Sequence, residues 1–319
     1  MRNVLTFLRN NIVIAAIAIL LIMMLIISPN YFAYSTFTTL LTQIAVYGIV
    51  ACAMTISLIG GEFDLSVGSI VPFATLLFAQ LLPSLGIIPS VMIVLIFGLA
   101  CGCVNGLFVG YLKINAFIVT LATQIMLQGA MLMFCNGKPI AAVNDITNMF
   151  GVSGIAGISW IAIIYFVCVA VTYFVLRKTN FGRNVFATGG NYDVAQYAGI
   201  PVKRIKCILF IILGGASALA GTLLAFRLQA GSPLYGADVC MYSVSAAVLG
   251  GTSLSGGKGS AIGTLLGMIF MGILTQIFLY VNVYTYLQQM IQGLIVVFVV
   301  LIDALPKSHV RKIKPETAA

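Results

Sequence analysis

Apolar stretches, each followed by a short polar or glycine-rich connection, recur along the whole chain. Most approach the ~20 residues that an α-helix needs to cross the hydrocarbon core of a bilayer. The third and the eighth are short and adjoin glycine-rich sequence, so each could be a crossing, a half-helix or a re-entrant piece. The pattern predicts an all-α, polytopic membrane protein with about ten transmembrane segments, at positions 12–28, 40–59, 67–82, 88–112, 115–134, 158–176, 207–226, 240–250, 260–280 and 287–305.

The composition agrees with a membrane protein and leaves no room for a separate soluble domain. The 319 residues are 61% hydrophobic and 7% charged, with a mean hydropathy of +1.13, whereas soluble domains carry about 25% charged residues. We therefore interpret residues 1–319 as a single transmembrane domain. The first segment lacks a small-residue cleavage site, because SPNY (28–31) follows it, and we interpret it as a retained helix.

The positive charges orient the segments, because cytoplasmic loops are enriched in Lys and Arg. With ten crossings and both termini in the cytoplasm, only Lys138 and Arg227 of the 16 basic residues lie outside. The net charge of +9 then reflects topology and contact with anionic lipid headgroups, and does not indicate nucleic-acid binding. The cytoplasmic side holds Arg2, Arg9, Lys113, Arg177, Lys178, Arg183, Lys203, Arg204, Lys206, Lys258, Lys307, Arg311, Lys312 and Lys314.

Motifs for catalysis or metal binding are weak. Gly257-Lys258 resembles part of a phosphate-binding loop, but Thr252 stands where that motif needs its first glycine, and Gly259 replaces the hydroxyl that would serve Mg²⁺. The seven cysteines form no CxxC pair, and the only histidine, His309, lies in the basic tail. We expect no enzyme activity, no metal site and no cofactor bound by this chain.

Uncharged polar residues form stripes on three of the segments. At a spacing of four residues they share one helix face, and amides and phenols can hydrogen-bond a hydroxylated solute without a fixed charge. The alternative is that they hold neighbouring helices together. No charged residue falls in the middle of a predicted span, which argues against an ion-coupled secondary transporter. The candidate translocation-pathway residues are Gln43, Tyr47, Thr120, Gln124, Gln128, Tyr284, Gln288 and Gln292.

Two glycine-rich stretches, GGEFDLSVGS (60–69) and GGTSLSGGKGS (250–260), share a Gly-Gly start, a Leu-Ser pair and a Gly-Ser end. Glycine breaks at matching positions of two halves are typical of transporters with internal repeats. The charges place both stretches near the cytoplasmic face, whereas an inverted pair would lie on opposite faces, so we favour convergence. The weaker alternative is an inverted repeat in which the short eighth segment is not a full crossing. The positions concerned are Gly60, Gly61, Asp64, Gly68, Gly250, Gly251 and Gly257.

The cytoplasmic loop at about 177–206 is the longest polar segment. We predict a turn at 189–191 and a short helix over 193–198, which Gly199 and Pro201 end. Val194, Tyr197 and Ile200 are apolar residues in this water-facing loop, which favours a docking helix for a soluble partner. The alternative is an ordinary basic loop.

Motifs along nearly the whole chain resemble those of the ribose-type sugar permeases of bacterial ATP-binding-cassette importers. They are GEFDLSVGS (61–69), AFIVTL (116–121), the pair GR at 182–183 with GGN (189–191), and VLGGTSLSGGKG (248–259). The chain departs from the family's pattern at Cys240-Met241-Tyr242, where an acidic Glu-x-Asp is common, and Asp238 lies two residues upstream. GGEFDLS also carries one residue more than the usual GGxDLS.

The resemblance implies an importer permease of the bacterial inner membrane. It would pair with a second permease, usually an identical copy, bind two cytoplasmic ATPase modules that use ATP and Mg²⁺, and receive a sugar from an extracytoplasmic binding protein. By the same resemblance, the ATPase-coupling loop includes Gly189, Gly190, Ala195, Gly199 and Ile200. The alternative function is an ion-coupled secondary transporter that works without an ATPase partner.

Overall fold

A computed structural model describes residues 12–144 and 157–304, together with Thr147, Phe150 and 154–155. A short 3₁₀ helix (Pro29–Phe32) follows the first α-helix. The α-helices are α1 (Ile12–Ile27), α2 (Tyr34–Ile59), α3 (Val67–Leu85), α4 (Ile87–Gly110), α5 (Ala116–Cys135), α6 (Trp160–Lys178), α7 (Asn180–Gly190), α8 (Tyr192–Tyr197), α9 (Val202–Leu228), α10 (Val239–Leu249), α11 (Ala261–Tyr280) and α12 (Thr285–Ala304).

Each of the predicted apolar segments coincides with a helix, and the prediction of an all-α membrane protein is confirmed. Among the described residues, seven helices (α2 to α6, α9 and α11) are long and apolar enough to cross a membrane. Helix α2 begins at Tyr34 and α9 at Val202, before the predicted apolar stretches, because polar residues at helix ends continue the helix beyond its apolar part. The third segment is the 19-residue helix α3.

Helices α2, α4, α7, α9, α10 and α11 meet at one end of the bundle, which we call the α7 end. A Cβ on Gly110, the last residue of α4, would lie 2.6 Å from the carbonyl oxygen of Lys203 near the start of α9. The carbonyl of Ile59, the last residue of α2, accepts a hydrogen bond of 2.8 Å from the Gly257 amide in the α10–α11 loop. These helices therefore begin or end on the same side of the molecule.

The opposite end, which we call the β end, carries the short strands. Thr42 in the first half of α2 hydrogen-bonds Ser159, the N-cap of α6, at 2.7 Å. Tyr31, which follows α1, packs edge-to-face on Tyr280 at the end of α11. Strands β2 (Gly154–Ile155) and β3 (Ile158–Ser159) pair antiparallel here. Helices α2 to α6 and α9 thus alternate in direction, and α11 runs in the same direction as α9 because α10 returns the chain to the α7 end between them.

Helix α10 begins inside the bundle. Its N-cap residue Asp238 accepts a hydrogen bond of 3.1 Å from Tyr47, the fourteenth of 26 residues in α2. Upstream, β4 (Ala230–Gly231) pairs antiparallel with β1 (Ile140–Ala141), and Gly231 lies against the backbone of Thr75 in the middle of α3. An 11-residue helix rises only about 16 Å, so the eighth predicted segment is a half-helix preceded by the short strand β4 and turns at 233–238.

Glycines allow several helices to touch backbone to backbone. Gly98, Gly102, Gly106 and Gly110 form one face of α4, and a Cβ on Gly102 would lie 2.2 Å from a carbonyl oxygen of α9. The small-xxx-small spacing Gly263…Gly267 on α11 faces α10 of the same chain in the same way. These glycines therefore explain close packing within one protomer.

Candidate translocation pathway and coupling junction

A polar cavity of 140 Å³ lies between α2, α10, α11 and α12. It is built from side chains of helices that are otherwise apolar, at the depth where α10 begins. Its lining residues are Gln43 and Tyr47 of α2, Asp238 and Tyr242 of the α10 region, Thr275 of α11, and Thr285, Gln288, Gln289 and Gln292 at the start of α12.

Two tyrosines and one carboxylate form the centre of this cavity. The Tyr47 hydroxyl donates to Asp238 Oδ1 at 3.1 Å. The rings of Tyr47 and Tyr242 lie 4.8 Å apart at an angle of 47°, and the Tyr242 hydroxyl is 3.4 Å from the Thr275 hydroxyl. Aromatic faces next to hydrogen-bonding groups are suited to a polar solute that also has C–H surface.

Two further cavities adjoin this one through shared residues. A cavity of 310 Å³ shares Gln43 and extends to Ser35 and Thr39 near the β end. A cavity of 390 Å³ shares Asp238 and Tyr242 and is otherwise mostly apolar. A row of cavities therefore follows α2 from the β end to mid-depth.

The structure brings four of the predicted pathway residues together: Gln43, Tyr47, Gln288 and Gln292. Tyr284 is 82% exposed before α12 begins and does not line the cavity. The stripe on α5 does not reach this cavity. Thr120 is buried and hydrogen-bonds its own helix, Gln124 lies beside Gly68, and Gln128 is exposed.

Neither Asp238 nor Tyr242 was predicted from the sequence to line the pathway. The expectation that no charged residue lies at mid-depth is wrong, because Asp238 is hydrogen-bonded to the middle of α2. Asp238 falls just outside the predicted segment 240–250, in chain that the structure folds back into the bundle. The shortness of that segment was the signal, since a half-helix places its flanking residues inside the membrane.

The two Gly-Gly stretches have the same local structure. After α2, the amides of Gly60, Gly61 and Glu62 bond to the carbonyls four, three and five residues earlier, and after α10 the amides of Gly250, Gly251 and Thr252 repeat this pattern. Gly61 and Gly251 have φ angles of 78° and 86°, a left-handed conformation that favours glycine at a helix C-terminus. The shared motif is thus a helix cap.

The two glycine-rich stretches meet α7 where glycine backbones touch. We call this contact the glycine junction, and it consists of Gly61, Gly189, Gly190, Gly256 and Gly257. A Cβ on Gly189 would lie 1.8 Å from the Ile59 carbonyl oxygen, and one on Gly256 would lie 2.5 Å from the Gly189 carbonyl oxygen. Both stretches therefore lie at the same end of the bundle, as the charges predict. They do not occupy inverted positions.

Asp64 and Gly68 connect the first stretch to the bundle interior. Asp64 is fully buried, and its Oδ1 accepts from the Ser66 amide at 2.7 Å and the Ser66 hydroxyl at 2.6 Å. Asn105 donates to Ser66 and accepts from Thr123, which completes the Asp64 network. A Cβ on Gly68 would lie 3.2 Å from the carbonyl oxygen of residue 237, next to the start of α10. The stretch is therefore fixed on both sides.

The predicted coupling loop folds as α7 and α8 at the α7 end. The helix α7 runs through Gly190, so the predicted turn is confined to Asn191, whose side chain caps α8 by accepting from the Val194 amide at 3.0 Å. Ala195 is buried, whereas Val194 and Tyr197 are 63% and 91% exposed.

The chain after α8 turns back towards the bundle at Gly199, which has a φ of 81°. Ile200 then packs on a cluster of Ile56, Ile59 and Val185. The coupling loop is thus anchored to the bundle through Ile200, and it exposes the apolar side chains of Val194 and Tyr197 on its other side.

A salt bridge joins the α7 end to the first glycine stretch. Lys206 of α9 pairs with the buried Glu62, and its ammonium group lies 5.1 Å from the centre of the Tyr192 ring. Burial raises the pKa of Glu62, and Lys206 acts in the opposite direction by favouring the carboxylate. Both residues line an open cleft of 470 Å³, so α8, α9 and the loop after α2 are linked.

A family model described as "Branched-chain amino acid transport system / permease component" matches residues 36–300. The ribose import permease protein RbsC of Bacillus subtilis is 36% identical over 289 residues, which cover 89% of each chain. The L-arabinose transport system permease protein AraH of Escherichia coli is 34% identical over 300 residues, covering 90% of this chain and 88% of AraH. No solved structure matches the chain.

Proposed function

The chain belongs to the family of permease components of ATP-driven sugar importers, and we propose that it forms the pathway for a monosaccharide or a related small polar solute. It is a multi-pass protein of the bacterial inner membrane and not an enzyme. ATP hydrolysis takes place in partner ATPase subunits, and a substrate-binding protein delivers the solute. In our proposal the permease itself binds no cofactor, and ATP and Mg²⁺ are used by the ATPases.

The polar cavity between α2 and α12 is the observation that carries this proposal. Uncharged amides, hydroxyls and the carboxylate of Asp238 converge there at mid-depth, where lipid would penalise them unless they face a partner or water. The alternative is that these polar residues hold neighbouring helices together. It accounts less well for Gln289 and Gln292, because their side chains line an open cavity.

We further propose ten crossings with the α7 end in the cytoplasm. Described basic residues at this end include Lys113, Lys178, Lys203 and Lys258, which lie next to α4, α6, α9 and α11. The positive-inside rule then supports a cytoplasmic α7 end. The predicted cytoplasmic termini, with Arg2, Arg9, Lys307, His309, Arg311, Lys312 and Lys314, lie outside the described residues.

A second, identical permease would cover the open side of the cavity. Asp238 and Gln289 are exposed in the single chain, and a carboxylate at this depth cannot face hydrocarbon without a large cost. Pairing two copies along this side would place both rows of cavities beside the two-fold axis. The exposed apolar faces of α4 and α5 would remain in contact with lipid.

Coupling to the ATPases would pass through the glycine junction. An ATPase that docks on Val194 and Tyr197 would move α7 and α8 together. Gly189 would transmit displacement to the last residue of α2 and to the loop that follows α10, because its contacts with Ile59, Gly256 and Gly257 are with backbone atoms. These two helices carry Tyr47 and Asp238, so the movement would change access to the cavity.

The test is uptake by the whole importer. Proteoliposomes that contain the permease and its ATPase, supplied with binding protein, should accumulate labelled D-ribose or L-arabinose only with internal ATP and Mg²⁺. An ATPase variant unable to hydrolyse ATP is the matched control and should give no accumulation. Uptake by the permease alone, driven by an ion gradient and abolished by an ionophore, would instead establish the secondary-transporter alternative.

A further inference from the structure

Asp238 is the only charged side chain that lines the three adjoining cavities in the described part of the chain. It lies at the depth of the middle of α2, because Tyr47 donates to it at 3.1 Å. The one ion pair within the described ranges is that of Glu62 and Lys206 at the α7 end. Asp238 therefore forms no salt bridge within the described ranges; the cation that acts electrostatically on its partner Tyr47 is Arg227, at the end of α9.

The structure surrounds the Asp238 carboxylate with two features that suit an acceptor. Asp238 precedes the first turn of α10, where the helix dipole stabilises a negative charge, and the Tyr47 hydroxyl donates a hydrogen bond to it. A carboxylate is an acceptor only, with room for more than one donor. It is thus suited to hydroxyl groups of a solute and repels anions.

We propose that Asp238 is the selectivity residue of the pathway. Its carboxylate accepts hydrogen bonds from hydroxyl groups of a neutral polyol while the ring of Tyr242 covers the solute's C–H face. Its charge excludes anionic relatives such as sugar acids and sugar phosphates. This inference rests on the proposed function, since it assigns a role within the same cavity.

A charge-selective labelling experiment tests the inference without knowledge of the transported sugar. In the reconstituted importer, Gln289→Cys is labelled with a cationic and an anionic methanethiosulfonate of similar size, and modification is quantified at this site by mass spectrometry. The ratio of cationic to anionic rate should fall at least about threefold when Asp238→Asn is added, because the local potential loses a unit charge. Tyr284→Cys, outside the cavity, is the control and should keep its ratio.

Transport supplies the second measurement. With whichever of D-ribose and L-arabinose the wild type carries, Asp238→Asn should lower the maximal uptake rate about tenfold, the loss expected for a charged hydrogen-bond acceptor. Asp238→Glu should restore part of it, and both variants should elute as a monodisperse importer in size-exclusion chromatography as evidence of folding.

The outcomes separate the two proposals. Wild-type importer that carries neither pentose contradicts the expected uptake of D-ribose or L-arabinose, while the labelling ratio still decides the role of Asp238. An unchanged ratio at Gln289→Cys, an equal fall at Tyr284→Cys, or full uptake by Asp238→Asn would overturn the selectivity role.

Discussion

Substituting Gly189 by alanine should disconnect the coupling segment from the end of α2 and from the α10–α11 loop, which it contacts. The new Cβ would lie 1.8 Å from the Ile59 carbonyl oxygen and 2.9 Å from the Gly257 nitrogen. Real contacts are essentially never below 3.0 Å, so α7 and the end of α2 would have to separate by 1.2 Å. The same carbonyl accepts from the Gly257 amide at 2.8 Å, so this hydrogen bond is strained as well.

The expected cost follows from these two contacts. Overpacking at a rigid backbone site costs about 1–3 kcal/mol, and a weakened hydrogen bond adds about 1 kcal/mol. Since each 1.4 kcal/mol changes a population about tenfold, the fraction of molecules with the glycine junction in contact should fall at least about tenfold. ATP-dependent sugar uptake should fall by a similar factor while the protein still inserts and remains monodisperse in detergent.

The neighbouring glycine provides a matched control. A Cβ on Gly190 meets no atom within 4 Å, so Gly190→Ala makes the same chemical change in the same helix without the clash. Uptake and ATPase activity are measured for both variants in proteoliposomes. Uptake by Gly189→Ala equal to that of Gly190→Ala would refute the view that backbone contact at the junction carries the coupling.

Three other substitutions test the packing and the pathway. Gly102→Ala places a Cβ 2.2 Å from the backbone of α9 and should lower the thermal midpoint in detergent, whereas Gly129→Ala, with open space around it, should not. Asn105→Leu removes the acceptor of the buried Thr123 hydroxyl and one donor to the Ser66 hydroxyl, and should cost about 1–3 kcal/mol of stability; an unchanged midpoint would argue against a structural role. Gln288→Ala should lower uptake several-fold more than Gln128→Ala, which lies on the exposed face of α5, and equal effects would reject the cavity as the pathway.

The order and type of the helices could be predicted from the sequence because lipid imposes a simple rule. Every backbone polar group must be bonded within its own segment, so a long apolar run becomes a helix whatever its neighbours are. The bounds of α5 and α11 accordingly differ from the predicted 115–134 and 260–280 by a single residue at most. The motifs at 61–69 and 248–259 were sufficient to identify the family.

The candidate site was only half predictable, because its residues come from helices far apart in sequence. Spacing along α12 places Gln288 and Gln292 on one face, yet the same spacing on α5 produces a stripe that does not reach the cavity. Which stripe meets a partner depends on helix packing, and periodicity carries no information about that. The functional role of these residues stays a prediction.

The sequence by itself determined the membrane class, the helical segments and the family, since hydropathy and local motifs express the chain's interaction with lipid and its own backbone. Only the tertiary structure decided that Asp238 lies beside Tyr47, and that the two glycine-rich stretches meet Gly189 at one junction. Both contacts depend on chain returning into the bundle before α10 and on helices close enough for glycine backbones to touch. Such contacts join residues that are far apart in the sequence, such as Tyr47 with Asp238 and Ile59 with Gly257, and their formation depends on the packing of the whole bundle.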